Sequence, residues 1–88
     1  MKPAGDPAEL TNLDETAVRA LLGTPQSERS QSTAKILVYA VATCRFEIVL
    51  FQDMTDLQWR AASWEGIPQG VKGLSGTACY DAVKGGRP

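Results

Sequence analysis

Apolar and polar positions along the chain fall into one stretch with helical spacing and three with strand spacing. In "LDETAVRALLGTP" the apolar residues Val18, Leu21 and Leu22, flanked by Ala17, stand at i, i+3 and i+4, with Glu15 and Arg19 on the other side. That spacing predicts an amphipathic helix that lies on another layer. Asp14 is placed to cap it, Leu13 and Val18 occupy the two positions of a hydrophobic staple, and Gly23 followed by Pro25 stops it. A shorter helical turn is expected ahead of it, where Asp6, Pro7 and Glu9 offer an acceptor, a preset first position and a capping carboxylate.

Residues 26–34, "QSERSQSTA", carry no large apolar group and read as an exposed loop. Three strands are then predicted. "KILVYAV" is rich in β-branched and aromatic residues. "CRFEIVLFQ" alternates Phe46, Ile48 and Leu50 against Arg45, Glu47 and Val49, and "LQWRAASW" alternates Leu57, Trp59 and Ala61 against Gln58, Arg60 and Ala62. Their connections, near Ala42 and Thr43 and at "QDMTD", have hairpin length, so the strands are expected to be sequential antiparallel neighbours.

The expected fold is therefore α+β in two layers: one or two N-terminal helices packed on one face of a three-stranded antiparallel meander. The whole chain, 1–88, reads as a single domain with a flexible start at 1–9 and a Gly-rich tail at 66–88. In that tail Thr77 caps a short helical turn from Ala78 to Lys84. On the sheet face opposite the helices, Val49, Phe51 and Tyr39 are expected to meet water, and with Trp64 they form the candidate interaction surface. Scattered exposure of apolar residues, or a tail folded back over them, is the structural alternative.

Composition narrows the function. At 88 residues the chain buries one small core, and nine basic residues against ten acidic ones leave a net charge of −1. The basic residues Lys35, Arg45, Lys72 and Lys84 are scattered among acidic ones, which argues against a nucleic-acid partner. No apolar run is long enough to span a bilayer. "MKPAGDPAEL" has no apolar signal core and no lipidation cysteine, so an export signal is expected to have been removed or never present.

Cys44 and Cys79 are an even pair, and the chain has no histidine to build a metal site or activate a thiolate. A Cys44–Cys79 disulfide, tying the C-terminal tail to the sheet edge at Cys44 and favouring an oxidising compartment, is the economical reading; two unpaired buried thiols acting as small hydrophobes is the alternative. No cofactor or metal is expected. "STAK" at 32–35 matches Ser-x-x-Lys but lacks the further elements of penicillin-binding enzymes. The three glycines Gly70, Gly73 and Gly76 do not make a phosphate cradle. Asp53 and Asp56 belong to a turn and Glu47 to a strand face, so no catalytic residue is predicted. Trp59 and Trp64 read as core, with ligand stacking as the rival use.

The order of "NLDETAVRALLGTPQSER", "ILVYAVATCRFEIVLF" and a late cysteine resembles the SmpA/OmlA (BamE-like) family of small envelope proteins. The resemblance lies in a leucine and polar cap before a helix ending in Leu22, Gly23, Thr24 and Pro25, then a variable loop and a strand bearing an aromatic, here Tyr39. It extends over about residues 10–65, and small relatives carry a cysteine heading the second strand, as Cys44 does, paired with one near the C-terminus, as Cys79 would be. The resemblance implies an αα-βββ domain, periplasmic or associated with the outer membrane and often lipid-anchored, that serves as a scaffold or binding module rather than an enzyme. Its expected partner is an envelope protein, with peripheral membrane association. Two rivals stay open. One is an inhibitor-like binding domain that inserts loop 26–34 or the tail into a cleft; the other is a small cytosolic protein using Cys44 or Cys79 as a reactive thiol.

Overall fold

Asp14 begins the first helix as its sequence position predicts: its Oδ1 accepts the Ala17 amide at 2.8 Å, and α1 (Glu15–Leu22) follows. The structure is a computed structural model of the chain and describes residues 10–74 and 76–85. The turn expected at Asp6, Pro7 and Glu9 lies outside the described residues. Gly23 stops α1 at a φ of 87°, a conformation that favours glycine, and its amide donates to the Arg19 carbonyl at 2.7 Å. Val18 and Leu22 are buried on the inner stripe, while Leu21 is only half-buried at its margin.

The sheet has four strands rather than three, in the order β1 (Ser27–Gln31), β2 (Ala34–Val41), β3 (Cys44–Asp53) and β4 (Gln58–Pro68), all antiparallel. The additional strand, β1, is the stretch expected to be a loop. All five of its residues are exposed, so it has no alternation of apolar and polar positions to announce it. It forms because the backbone groups of β2 need partners on that side, and Ser27 to Gln31 pair with Val38 to Ala34. Ser32 makes the connecting turn at a φ of 58°.

The other two hairpins form where expected. Val41 pairs with Cys44 around Ala42 and Thr43, and Asp53 pairs with Gln58 around the longer turn. Asp53 holds that turn by accepting the Thr55 amide at 2.9 Å and the Thr55 hydroxyl at 2.6 Å. Leu57, expected to face inward in the third predicted strand, is instead a turn residue with a φ of 60° and is exposed.

The tail differs most from its expectation. β4 continues to Pro68, and both Gln69 and Leu74 donate their amides to the Thr43 carbonyl, at 3.1 and 2.9 Å, so the loop between them is fastened to the β2–β3 turn. The chain then forms a ten-residue helix, α2 (Gly76–Gly85), longer than the expected turn. Cys79 on α2 is bridged to Cys44, with 5.9 Å between their Cα atoms, and both are fully buried. Cys44 heads β3, an interior strand, so the bridge joins the middle of the sheet to α2 rather than pinning a tail to a sheet edge.

Both helices pack on one face. Val18 and Leu22 from α1 and Cys79, Tyr80 and Val83 from α2 meet Leu37, Tyr39, Phe46, Ile48 and Leu50 from the sheet. Phe46 is central: Trp64 stacks on it at a centroid distance of 5.7 Å, and Tyr80 tilts against it at 5.2 Å. The architecture is thus α+β in two layers, as expected, with β1 and α2 added to it.

Candidate interaction surface

Strand register decides what the face away from the helices presents. Phe46, Ile48 and Leu50 point to the core, so their neighbours Arg45, Glu47, Val49 and Phe51 point the other way. Opposite them on β2 stand Ala40, Val38, Ile36 and Ala34. Val49 is half-buried and Phe51 is 48% exposed, and no described helix lies over them.

Ile36 and Val38 are only 8% and 6% exposed although they lie on this open face. An ion pair crosses β2 here: Arg29 on β1 reaches Glu47 on β3 at 3.0 Å, and Arg45 closes on the same carboxylate at 3.1 Å. Arg29 is paired with Ile36 and Glu47 with Val38, so the link runs diagonally across the two β2 residues, a path on which an arginine stem covers apolar surface while its charge stays in water. The face therefore consists of a covered aliphatic stripe under a charged clasp, running out to an uncovered Phe51.

Beyond Phe51 the apolar surface continues on the hairpin between β3 and β4, where Met54 is 76% and Leu57 59% exposed. A half-open recess of about 520 Å³ lies at this end of the sheet, between Ser32 and Thr33 on one side and Phe51, Met54 and Trp59 on the other.

Two of the four residues expected on this surface do not belong to it. Tyr39 pairs with Phe46 on the core side, is buried, and donates its hydroxyl to the Gly23 carbonyl at 2.8 Å. The β2 sequence is apolar on both faces, so alternation alone cannot say which set points inward. Trp64 is also on the core side, half-buried against Phe46. It was out of phase with Trp59 and Ala61 by simple alternation, but Leu50 pairs with Ala61 and Val49 with Ser63, so a bulge at Ala62 reverses the phase. Ile36 and Val38 are the residues of this face that sequence reading missed, for the same want of phase in β2.

Many of the charged groups of α1 and the sheet pair with one another. On the helix side, Glu15 accepts Lys35 Nζ at 2.8 Å and Arg19 Nε at 2.9 Å, and Arg19 also pairs with Glu28. Burial pushes the Glu15 carboxyl up, but the hydrogen bonds and charges of Lys35 and Arg19 outweigh it and hold it below its ordinary value. Lys35 also stands over the Trp59 ring, 5.0 Å from its centroid, so the lysine of "STAK" is held between a carboxylate and an aromatic ring. Hydrogen bonds from Thr55, and then Arg60, hold the Asp53 carboxyl below its ordinary value.

Both cysteines lie in the buried bridge, so neither presents a thiolate. Among the described residues, no three His, Cys, Asp or Glu side chains converge as metal ligands would, and no helix is long and apolar enough to cross a membrane. Comparison with protein-family models, curated proteins and solved structures gave no match for this chain.

Proposed function

We propose that this chain is a noncatalytic protein-binding domain of an oxidising envelope compartment, periplasmic or at the outer membrane, in keeping with its SmpA/OmlA-like resemblance. The carrying observation is the open sheet face, where Val49 and the half-exposed Phe51 adjoin the clasped Ile36 and Val38 with no described element above them. A monomer ordinarily fills such a face with polar groups, and an uncovered aromatic beside aliphatic neighbours is suited to a partner's apolar side chains. The partner is an envelope protein, the docking surface is Val49 and Phe51, and association with the membrane is peripheral.

The Cys44–Cys79 bridge supports the compartment, because a buried disulfide spanning 35 positions persists where thiols are oxidised. The rival readings draw less support. Segment 26–34, which an inhibitor-like domain would insert into a cleft, is taken up by β1 and its turn, and the tail is fastened by Thr43 and the bridge. A reactive-thiol protein needs a free thiolate, and both sulfurs are buried in the bridge.

The test is site-specific photocrosslinking in envelope extract, with the crosslinker placed at Phe51 or, as a comparison, at the exposed Ala20 of α1. A discrete adduct from position 51 and none from position 20 supports the reading. The same adducts from both positions, or none from 51, removes it.

A further inference from the structure

β4 is the outermost strand on its side of the sheet, and its outer edge already accepts a partner over part of its length. The Asn12 amide donates to the Ala61 carbonyl at 3.1 Å, the Ala61 amide donates to the Leu13 carbonyl at 2.8 Å, and Asp14 forms an antiparallel bridge with Arg60. Among the described residues the pairing stops there: Leu13 donates back to the Leu10 carbonyl at 3.0 Å, and Asn12 takes a φ of 66°. β4 itself runs on to Pro68, and among the described residues nothing pairs with its outer side beyond Ala61.

Where the pairing stops, a half-open recess of about 250 Å³ lies between Leu10 and Thr11 on one side and Ala61, Ser63 and Trp64 on the other. It has room for an aliphatic side chain and is small for a free organic ligand. Beside it on the open face, exposed Glu65 stands opposite Glu47. Arg29 and Arg45 both pair with Glu47, whereas Glu65 has no ion-pair partner among the described residues. A cation on a further strand beside Glu65 would give this carboxylate a cross-strand partner.

We infer that the outer edge of β4, from Ser63 to Ile67, takes up an extended peptide as a fifth strand, with an aliphatic side chain in the Leu10–Trp64 recess and a lysine or arginine beside Glu65. The inference rests on the binding-domain reading but uses a different surface from the Phe51 face. Strand addition draws affinity from main-chain hydrogen bonds and specificity from alternate side chains, and among the described residues this edge offers an unpaired ladder, a recess and a carboxylate without an ion-pair partner side by side. The other edge, β1, is a poorer template: its exposed residues are polar throughout, and Glu28 and Arg29 are already paired to Arg19 and Glu47. β4 of a second copy is also a poorer occupant, since residues 62–68 contain no lysine or arginine to meet Glu65.

The test uses a blocked pentapeptide of alternating valine and lysine as the probe, with amide chemical shifts and amide exchange of the whole chain as the readout. Shifts and slowed exchange at Ser63–Ile67 are expected. Methylating every backbone nitrogen of the peptide is expected to weaken binding by about ten-fold or more, because the ladder bonds are lost. Glu65→Lys is expected to reverse the charge preference, favouring a valine–glutamate peptide. Several results overturn the inference: no shift at about 1 mM peptide, shifts confined to Ser27–Gln31, no change of preference in Glu65→Lys, or pairing of β4 with a second copy seen as a doubled mass. Shifts confined to Val49 and Phe51 also overturn it, but leave the Phe51-face reading standing.

Discussion

The Tyr39 hydroxyl donates a 2.8 Å hydrogen bond to the carbonyl of Gly23, tying the middle of β2 to the residue that stops α1. The bond closes the end of a helix whose last carbonyls have no partner within it. Tyr39→Phe keeps the ring against the core and removes this link. It is expected to lower stability by about 1 kcal/mol, read as a shifted midpoint in denaturant with an unchanged slope. An unchanged midpoint would mean that the bond adds nothing in water.

The Cys44–Cys79 bridge closes a loop spanning 35 positions, which in the chain-entropy model stabilises the fold by about 3–4 kcal/mol. Reduction, or Cys44→Ser with Cys79→Ser, is expected to cost about that much, and to release α2 before the strands. Amide exchange checks the order: protection in Tyr80 and Val83 should fall before protection in Ile48 and Leu50. Simultaneous loss would show that α2 and the sheet unfold as one unit.

Leu22 is buried at 1% exposure and its neighbour Leu21 is half-buried, so the two leucines should not respond alike. Leu22→Ala is expected to cost about 3 kcal/mol and Leu21→Ala about half of that. Arg29→Ala breaks an exposed ion pair and is expected to cost under about 1 kcal/mol, part of it from uncovering Ile36 and Val38. Equal losses for the two leucine variants, measured by thermal melting, would contradict the rotation of α1 on the sheet.

Glu15 sets a pH dependence. Its carboxyl is held below the ordinary value of 4.5 in the folded chain because Lys35 and Arg19 together outweigh the burial that raises it. The unfolded chain therefore binds the proton more readily, so this contribution to stability is full above about pH 5 and is lost as pH falls through 4.5 and below. Glu15→Gln should be less stable than the parent at neutral pH, and the difference should shrink on acidification. A difference independent of pH would place the loss in packing rather than charge.

Gly73 is held by close contact. A Cβ there would stand 2.5 Å from the Gln69 nitrogen and 2.7 Å from the Pro68 Cβ, so the loop must move to accept one. Gly73→Ala is expected to cost about 1–2 kcal/mol and to speed amide exchange at Gln69 and Leu74, whose hydrogen bonds to Thr43 would open. Unchanged exchange at these two amides would show that the loop adjusts without leaving the turn.

What the sequence by itself determined lies within single elements. Asp14, the Val18–Leu22 stripe and Gly23 specify α1, because cap, stripe and stop act within a few residues of one another. The alternation in Cys44–Leu50 specifies β3 and its two faces, and the even pair of cysteines favoured a bridge that the structure contains. What only the tertiary structure decided depends on pairing between elements. β1 exists because β2 has backbone groups to satisfy, α2 was legible only as a short turn, and Tyr39 points inward because β2, apolar on both faces, takes its phase from β3. Trp64 moved to the core because a single extra residue at Ala62 reversed the strand's phase, an event set by how β4 fits β3. The candidate surface was half legible for the same reason: Val49 and Phe51 follow from alternation within one strand, whereas Ile36, Val38 and the β4 edge emerge only when the strands are laid side by side.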